Sequence, residues 1–131
     1  MTTSNPIIRI VDDEAVVRKA LKFLLESEGW MVEAYEKGSE FLVEDRPSLI
    51  GCLILDVAMS EMNGLELYQR LRERKYEVPV IFLTGHGDVD MAVQAMKDGA
   101  IDFIQKPINE ERLLSAVVKA VRYDETHRGW T

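Results

Sequence analysis

The chain predicts an α/β domain built on one five-stranded parallel sheet with helices on both faces. Three observations lead there. Five short apolar runs alternate with five segments whose apolar residues recur at helical spacing. Two of the runs are almost wholly apolar, as strands buried on both faces are. Strict alternation of strand and helix makes the strands parallel and the crossovers right-handed.

Taken in order, Ile7–Val11 is a β-branched run and forms the first strand. Val17, Leu21, Leu24 and Leu25 repeat at helical spacing, and Gly29 ends that helix. Met31–Tyr35 is a weaker strand, followed by a short helix around Glu40-Phe41-Leu42. Leu49–Leu55 is the buried third strand, and Leu65, Tyr68 and Leu71 mark the third helix. Val78–Leu83 is the fourth strand, with Pro79 near its start, where a missing N–H donor costs least. Ala92, Ala95 and Met96 mark a small-residue helix that stops before Gly99. Ile101–Ile104 is the last strand, and Leu114, Val117, Val118 and Val121 form the stripe of the final helix.

Composition narrows the function. At 131 residues, 47% apolar and 30% charged, the chain reads as one globular domain. A formal charge of −7 repels nucleic acid and anionic membrane, so neither is expected as a direct partner. No apolar stretch reaches membrane-spanning length, and Met1–Pro6 lacks the basic flank and apolar run of a signal peptide. Cys52 stands alone, which excludes an internal disulfide and fits a reducing cytoplasm.

In parallel α/β sheets, ligands gather beyond the carboxyl ends of the strands. Those ends carry Asp12-Asp13, Asp56, Thr84 and Lys106-Pro107. Any one of these aspartates alone reads more readily as a helix cap or turn residue. Together they place three carboxylates, a hydroxyl and an ammonium in one small area. Two unit charges ~4 Å apart at an effective dielectric near ~20 repel by about 4 kcal/mol. A divalent cation relieves this, and Mg²⁺ favours a few carboxylates completed by water and phosphate oxygens. A metal, a lysine and a hydroxyl around a carboxylate are the parts that phosphoryl transfer to aspartate needs. Asp56 stands alone on the central strand and is the expected acceptor; Asp12 and Asp13 are the expected metal ligands. The loop after Asp56 can add a backbone carbonyl.

With these residues in view, the sequence resembles the receiver domain of bacterial two-component response regulators. The resemblance rests on Val11-Asp12-Asp13-Glu14, Leu53–Val57, Met62–Leu67, Pro79–Thr84 and Gly99–Pro107, and covers about Ile7 to Tyr123. It implies a flavodoxin-like fold with strand order 2-1-3-4-5. It implies phosphate transfer from a sensor histidine kinase to Asp56, with Mg²⁺ (or Mn²⁺ in its place) bound by Asp13, Asp56 and the Ala58 carbonyl. Asp12 would act through water or as a further ligand. Thr84 would move toward the phosphoryl group, Phe103 would rotate inward behind it, and Lys106 would contact a phosphoryl oxygen. The Lys106–Pro107 bond would be cis. The domain would be a phosphoacceptor rather than an ordinary enzyme, catalysing its own phosphorylation and dephosphorylation.

Such a switch works by population shift. The fourth helix, fifth strand and fifth helix would then present a changed face to a partner or a second copy. Thr84–Val93 resembles receivers joined to LuxR-type DNA-binding domains or to sigma-54-type activators. The expected output is transcription, through a DNA-binding domain absent from this chain. Residues 1–123 are the expected receiver domain and 124–131 a linker or tail. One departure stands out: the family usually has proline after the loop methionine, whereas Met59 is followed by Ser60. Serine lacks the fixed φ of proline, which predicts a freer loop. His86, two residues past Thr84, holds a position that influences dephosphorylation in the family, although a solvated loop histidine is the plainer reading. A flavin-binding protein of this architecture would want a glycine- and hydroxyl-bearing phosphate loop, and the first loop here is acidic. The P-loop pattern GxxxxGK[ST] is absent. A receiver-like module that works without phosphate is the nearer alternative.

Overall fold

The computed structural model describes residues 5–85 and 87–129; Met1–Ser4, His86, Trp130 and Thr131 lie outside that description. The elements are β1 (Ile7–Val11), α1 (Ala15–Ser27), β2 (Met31–Tyr35), α2 (Gly38–Glu44), β3 (Gly51–Asp56), α3 (Gly64–Glu73), β4 (Val80–Thr84), α4 (Val89–Lys97), β5 (Asp102–Gln105) and α5 (Glu110–Arg128). All strand pairs are parallel, in the order β2-β1-β3-β4-β5. This is the predicted flavodoxin-like sheet.

The pleat sends alternate side chains to opposite faces, and each face has its own core. From β3, Leu53 and Leu55 pack with Phe41, Leu67, Leu71 and Phe82 beneath α2, α3 and α4. Cys52 and Ile54 pack with Leu21, Leu25, Leu113 and Val117 beneath α1 and α5. All six residues of β3 are buried, which explains its nearly continuous apolar run. Burial pushes the Cys52 thiol up to about 12, leaving it a small inert core residue.

Local chemistry sets the helix ends. At α1, Gly29 takes a left-handed φ of 94° and the Trp30 N–H returns to the Leu25 carbonyl, closing a glycine C-cap. At α3, the Asn63 side chain accepts from the Glu66 N–H while Glu66 accepts from the Asn63 N–H.

The structure departs from the sequence reading at several borders. β3 begins at Gly51 rather than Leu49, and β5 begins at Asp102 rather than Ile101. β4 begins at Val80; Pro79 contributes only its carbonyl, which accepts from the Leu53 N–H. The buried face of α5 is Leu113, Ala116, Val117, Ala120 and Val121, with Leu114 and Val118 at its margin. The two alanines carry little apolar weight, so the expected stripe finds Val117 and Val121 of the buried face and takes Leu114 and Val118 from its margin. α5 also runs past Tyr123 to Arg128. Asp124, placed in the expected tail, is buried and accepts from the Gly51 N–H at 3.0 Å.

Candidate functional site

The parallel register brings four strand ends level. Val11 lies opposite Leu55, Asp56 opposite Leu83, and Thr84 opposite Gln105. Asp12 and Lys106 follow directly after β1 and β5, so Asp12, Asp56, Thr84 and Lys106 rim one end of the sheet. Gly64 lets α3 approach this rim. A Cβ there would collide with the Asp56 carbonyl and sit 2.9 Å from the Val57 Cα.

Asp12, Asp13 and Asp56 each present an oxygen within 4.8 Å of the others. The Asp12 and Asp56 side chains are buried and Asp13 is half-buried. The Lys106 ammonium lies 3.4 Å from Asp12 Oδ2, 3.5 Å from Asp56 Oδ1 and 3.3 Å from Glu14 Oε1. Asp12 Oδ1 accepts from the Glu14 N–H at 2.9 Å, and Asp56 Oδ1 accepts from the Ala58 N–H at 3.4 Å. Asp56 Oδ2 is buried without a hydrogen-bond partner among the described residues.

These distances set the electrostatics. Burial first, and the neighbouring Asp12 second, push the Asp56 carboxyl up to about 6, against the pull of Lys106 and the Ala58 N–H. Burial likewise raises Asp12 above the ordinary carboxylate value. Burial alone would lower the Lys106 ammonium, but Asp12, Asp56 and Glu14 outweigh it and raise it. One ammonium thus faces more negative charge than it can neutralise. An acid trio with one buried oxygen unpartnered fits a divalent cation that takes carboxylate oxygens and keeps some of its water.

The remaining expected site residues are placed as follows. Thr84 is buried at the end of β4, and its carbonyl accepts from the Lys106 N–H at 2.6 Å. The Lys106–Pro107 bond is cis. Ala58 is exposed on the loop after β3. Phe103 lies on edge strand β5 opposite Phe82, 38% exposed and outside the acid cluster. His86 lies outside the described residues. Two participants carry no assignment in the sequence reading. Glu14 is the third carboxylate around Lys106, its only signal being adjacency to Asp12-Asp13. Ser60 donates both its N–H (2.9 Å) and its hydroxyl (3.1 Å) to Asp13 Oδ2. The loop with no proline ring is therefore tied down by hydrogen bonds that proline could not make.

Comparison with known proteins identifies the family. The family model for the response regulator receiver domain matches residues 8–118. Response regulator protein TodT of Pseudomonas putida is 45% identical over 122 residues, covering 93% of this chain and 54% of TodT. Transcriptional regulatory protein FixJ of Bradyrhizobium diazoefficiens is 40% identical over 126 residues, covering 95% of this chain and 60% of FixJ. The chain therefore spans little more than half the length of these curated relatives. Among solved structures, response regulator StyR superposes with a TM-score of 0.91 at 40% identity, covering 96% of this chain and 64% of that one. The isolated FixJ-N structure gives a TM-score of 0.84 at 40% identity, covering 92% of this chain and 97% of that one.

Proposed function

The chain belongs to the response regulator receiver family, and from that premise we propose that it is a switch whose Asp56 accepts a phosphoryl group from a sensor histidine kinase. The observation that carries this reading is Asp56 itself: a buried carboxylate at the central strand end, with one free oxygen, two acidic neighbours and a lysine. With a pKa of about 6, Asp56 is mostly ionised at neutral pH and able to act as a nucleophile. Its Oδ2 attacks phosphorus as the N–P bond of the donor phosphohistidine breaks, and the histidine nitrogen keeps the bonding electron pair.

Asp12, Asp13, Asp56 and the Ala58 carbonyl are the groups that would hold Mg²⁺, or Mn²⁺ in its place. When bound, the cation neutralises charge on the transferring group. Lys106 meets a phosphoryl oxygen, and the Thr84 hydroxyl donates to another. Phosphorylation then favours a state with Thr84 and Phe103 drawn inward, which alters the face made by α4, β5 and α5 and favours pairing with a second copy there. Control of transcription follows from the relatives, FixJ being named a transcriptional regulatory protein. Among the described residues no helix is long and apolar enough to cross a membrane, and the net negative charge disfavours direct contact with nucleic acid. A cytoplasmic location fits both.

Intact mass after incubation with a small phosphodonor and Mg²⁺ tests the chemistry. One phosphoryl adduct that needs the metal and disappears in Asp56→Asn is expected. A folded, metal-supplied chain with no adduct would leave the phosphate-independent interaction module as the better reading.

A further inference from the structure

We propose that Ser60 is a positioning residue for the metal-binding carboxylate of Asp13; this rests on the receiver reading and deepens it. Asp12 and Asp56 are set by their place at strand ends, and each accepts from a backbone N–H two residues ahead. Asp13 lies one residue further out, half-buried in the β1–α1 loop. What holds its carboxylate is Ser60, across 47 positions of sequence, with the N–H at 2.9 Å and the Oγ at 3.1 Å on the same oxygen, Oδ2.

Two donors on one oxygen fix the plane of a carboxylate and leave the other oxygen to a cation. Partners of this kind orient metal ligands, and losing one typically weakens metal binding by about 10–100-fold. The grip also joins the β1–α1 loop to the β3–α3 loop, so the ligand set is gathered before the cation arrives. An alanine at position 60 keeps the N–H and loses the hydroxyl. A threonine keeps both donors. A proline supplies neither. Ser60 is exposed, so none of these changes disturbs the core.

The experiment is calorimetric Mg²⁺ titration of the whole chain and its variants, with intact-mass phosphorylation run on the same samples. Ser60→Ala is expected to raise the Mg²⁺ Kd by about 10-fold, and Ser60→Thr is expected to keep the parent value. A Ser60→Ala protein that binds Mg²⁺ as tightly as the parent, or more tightly, overturns the proposal, as does a Ser60→Thr protein as weak as Ser60→Ala. If the parent binds Mg²⁺ and is modified at Asp56 while Ser60→Ala matches it, only the role of Ser60 falls. If the parent itself neither binds Mg²⁺ nor is modified, the receiver chemistry falls and this proposal falls with it.

Discussion

Replacing Asp56 with asparagine should make the metal-free protein more stable, although it removes the proposed phosphoacceptor. The structure gives the size. The Asp56 carboxyl is raised from an ordinary 3.8 to about 6, chiefly by burial and by Asp12. At ~1.36 kcal/mol per unit, holding it ionised in the folded state costs about 3 kcal/mol. An acid whose folded pKa exceeds its unfolded one binds its proton more tightly when folded. Stability is therefore lost as pH rises from about 3.8 to about 6, and the full penalty applies above that. Asparagine escapes the penalty. The attraction of Lys106, 3.5 Å away, is already contained in that net shift. The gain is therefore about 3 kcal/mol, or roughly 9–15 °C in Tm for a domain of this size.

The assay is thermal and urea unfolding of both proteins in EDTA, at pH 7.5 and at pH 4.5. The gap should be wide at pH 7.5 and narrow at pH 4.5, where the folded parent holds its proton. Saturating Mg²⁺ should stabilise the parent more than the variant and close the gap. An Asp56→Asn protein less stable than the parent in EDTA at pH 7.5, or a gap that ignores pH, would show that the acid cluster is not strained.

Other consequences are equally concrete. Lys106→Met should slow phosphoryl adduct formation by about 100-fold in an intact-mass time course with the fold retained, and a parent-like rate would remove Lys106 from the chemistry. Arg9→Met should cost about 3–5 kcal/mol in urea unfolding, because it strips the buried Asp45 carboxylate of its cation; a neutral result would mean that Asp45 reaches water. Asp124→Ala should cost about 1–3 kcal/mol by freeing the Gly51 N–H and Arg128, and an unchanged urea midpoint would argue that the end of α5 frays anyway. Phe103→Ala should leave phosphorylation intact and abolish the proposed phosphorylation-dependent dimerisation in sedimentation velocity; dimers that persist would take Phe103 out of the switch.

The sheet was legible because its signals are local. Five apolar runs and the helical spacing between them determine element type, and alternation determines parallel pairing. The gathering of polar and charged residues at the strand ends was legible for the same reason: Asp12, Asp56 and Thr84 each follow an apolar run directly, and Lys106 follows Gln105 at the end of the last strand. Contacts made across long sequence gaps were not. Nothing near Ser60 signals a bond to a residue 47 positions earlier, and nothing near Asp124 signals one to Gly51, 73 positions away. The face of α5 was read only in part, through Val117 and Val121, because Ala116 and Ala120 pack closely without standing out as apolar.

The two ends of the sheet show why buried charge alone does not mark a site. Opposite the acid trio, Arg9 is fully buried in β1, inside the otherwise apolar run Ile7-Ile8-Arg9-Ile10-Val11. Its guanidinium donates to Asp45 Oδ1 at 2.8 Å and to the carbonyls of Arg46 and Leu49 at 2.8 Å. The other Asp45 oxygen accepts from the Tyr76 hydroxyl at 2.8 Å. Nearby, both oxygens of Asp124 accept from Arg128, and one also accepts from the Gly51 N–H. In these pairs each carboxylate oxygen has a donor, so the charges hold α5 and the α2–β3 and α3–β4 loops against the sheet without storing strain. At the opposite end, Asp12, Asp56 and Glu14 share one ammonium with Asp13 beside them, and Asp56 Oδ2 has no donor among the described residues. Both ends contain aspartate and a basic residue beside a strand. What separates them is satisfaction: paired charge fixes the fold, while negative charge left short of partners can be relieved by a cation, and that relief gives a ligand leverage over the conformation.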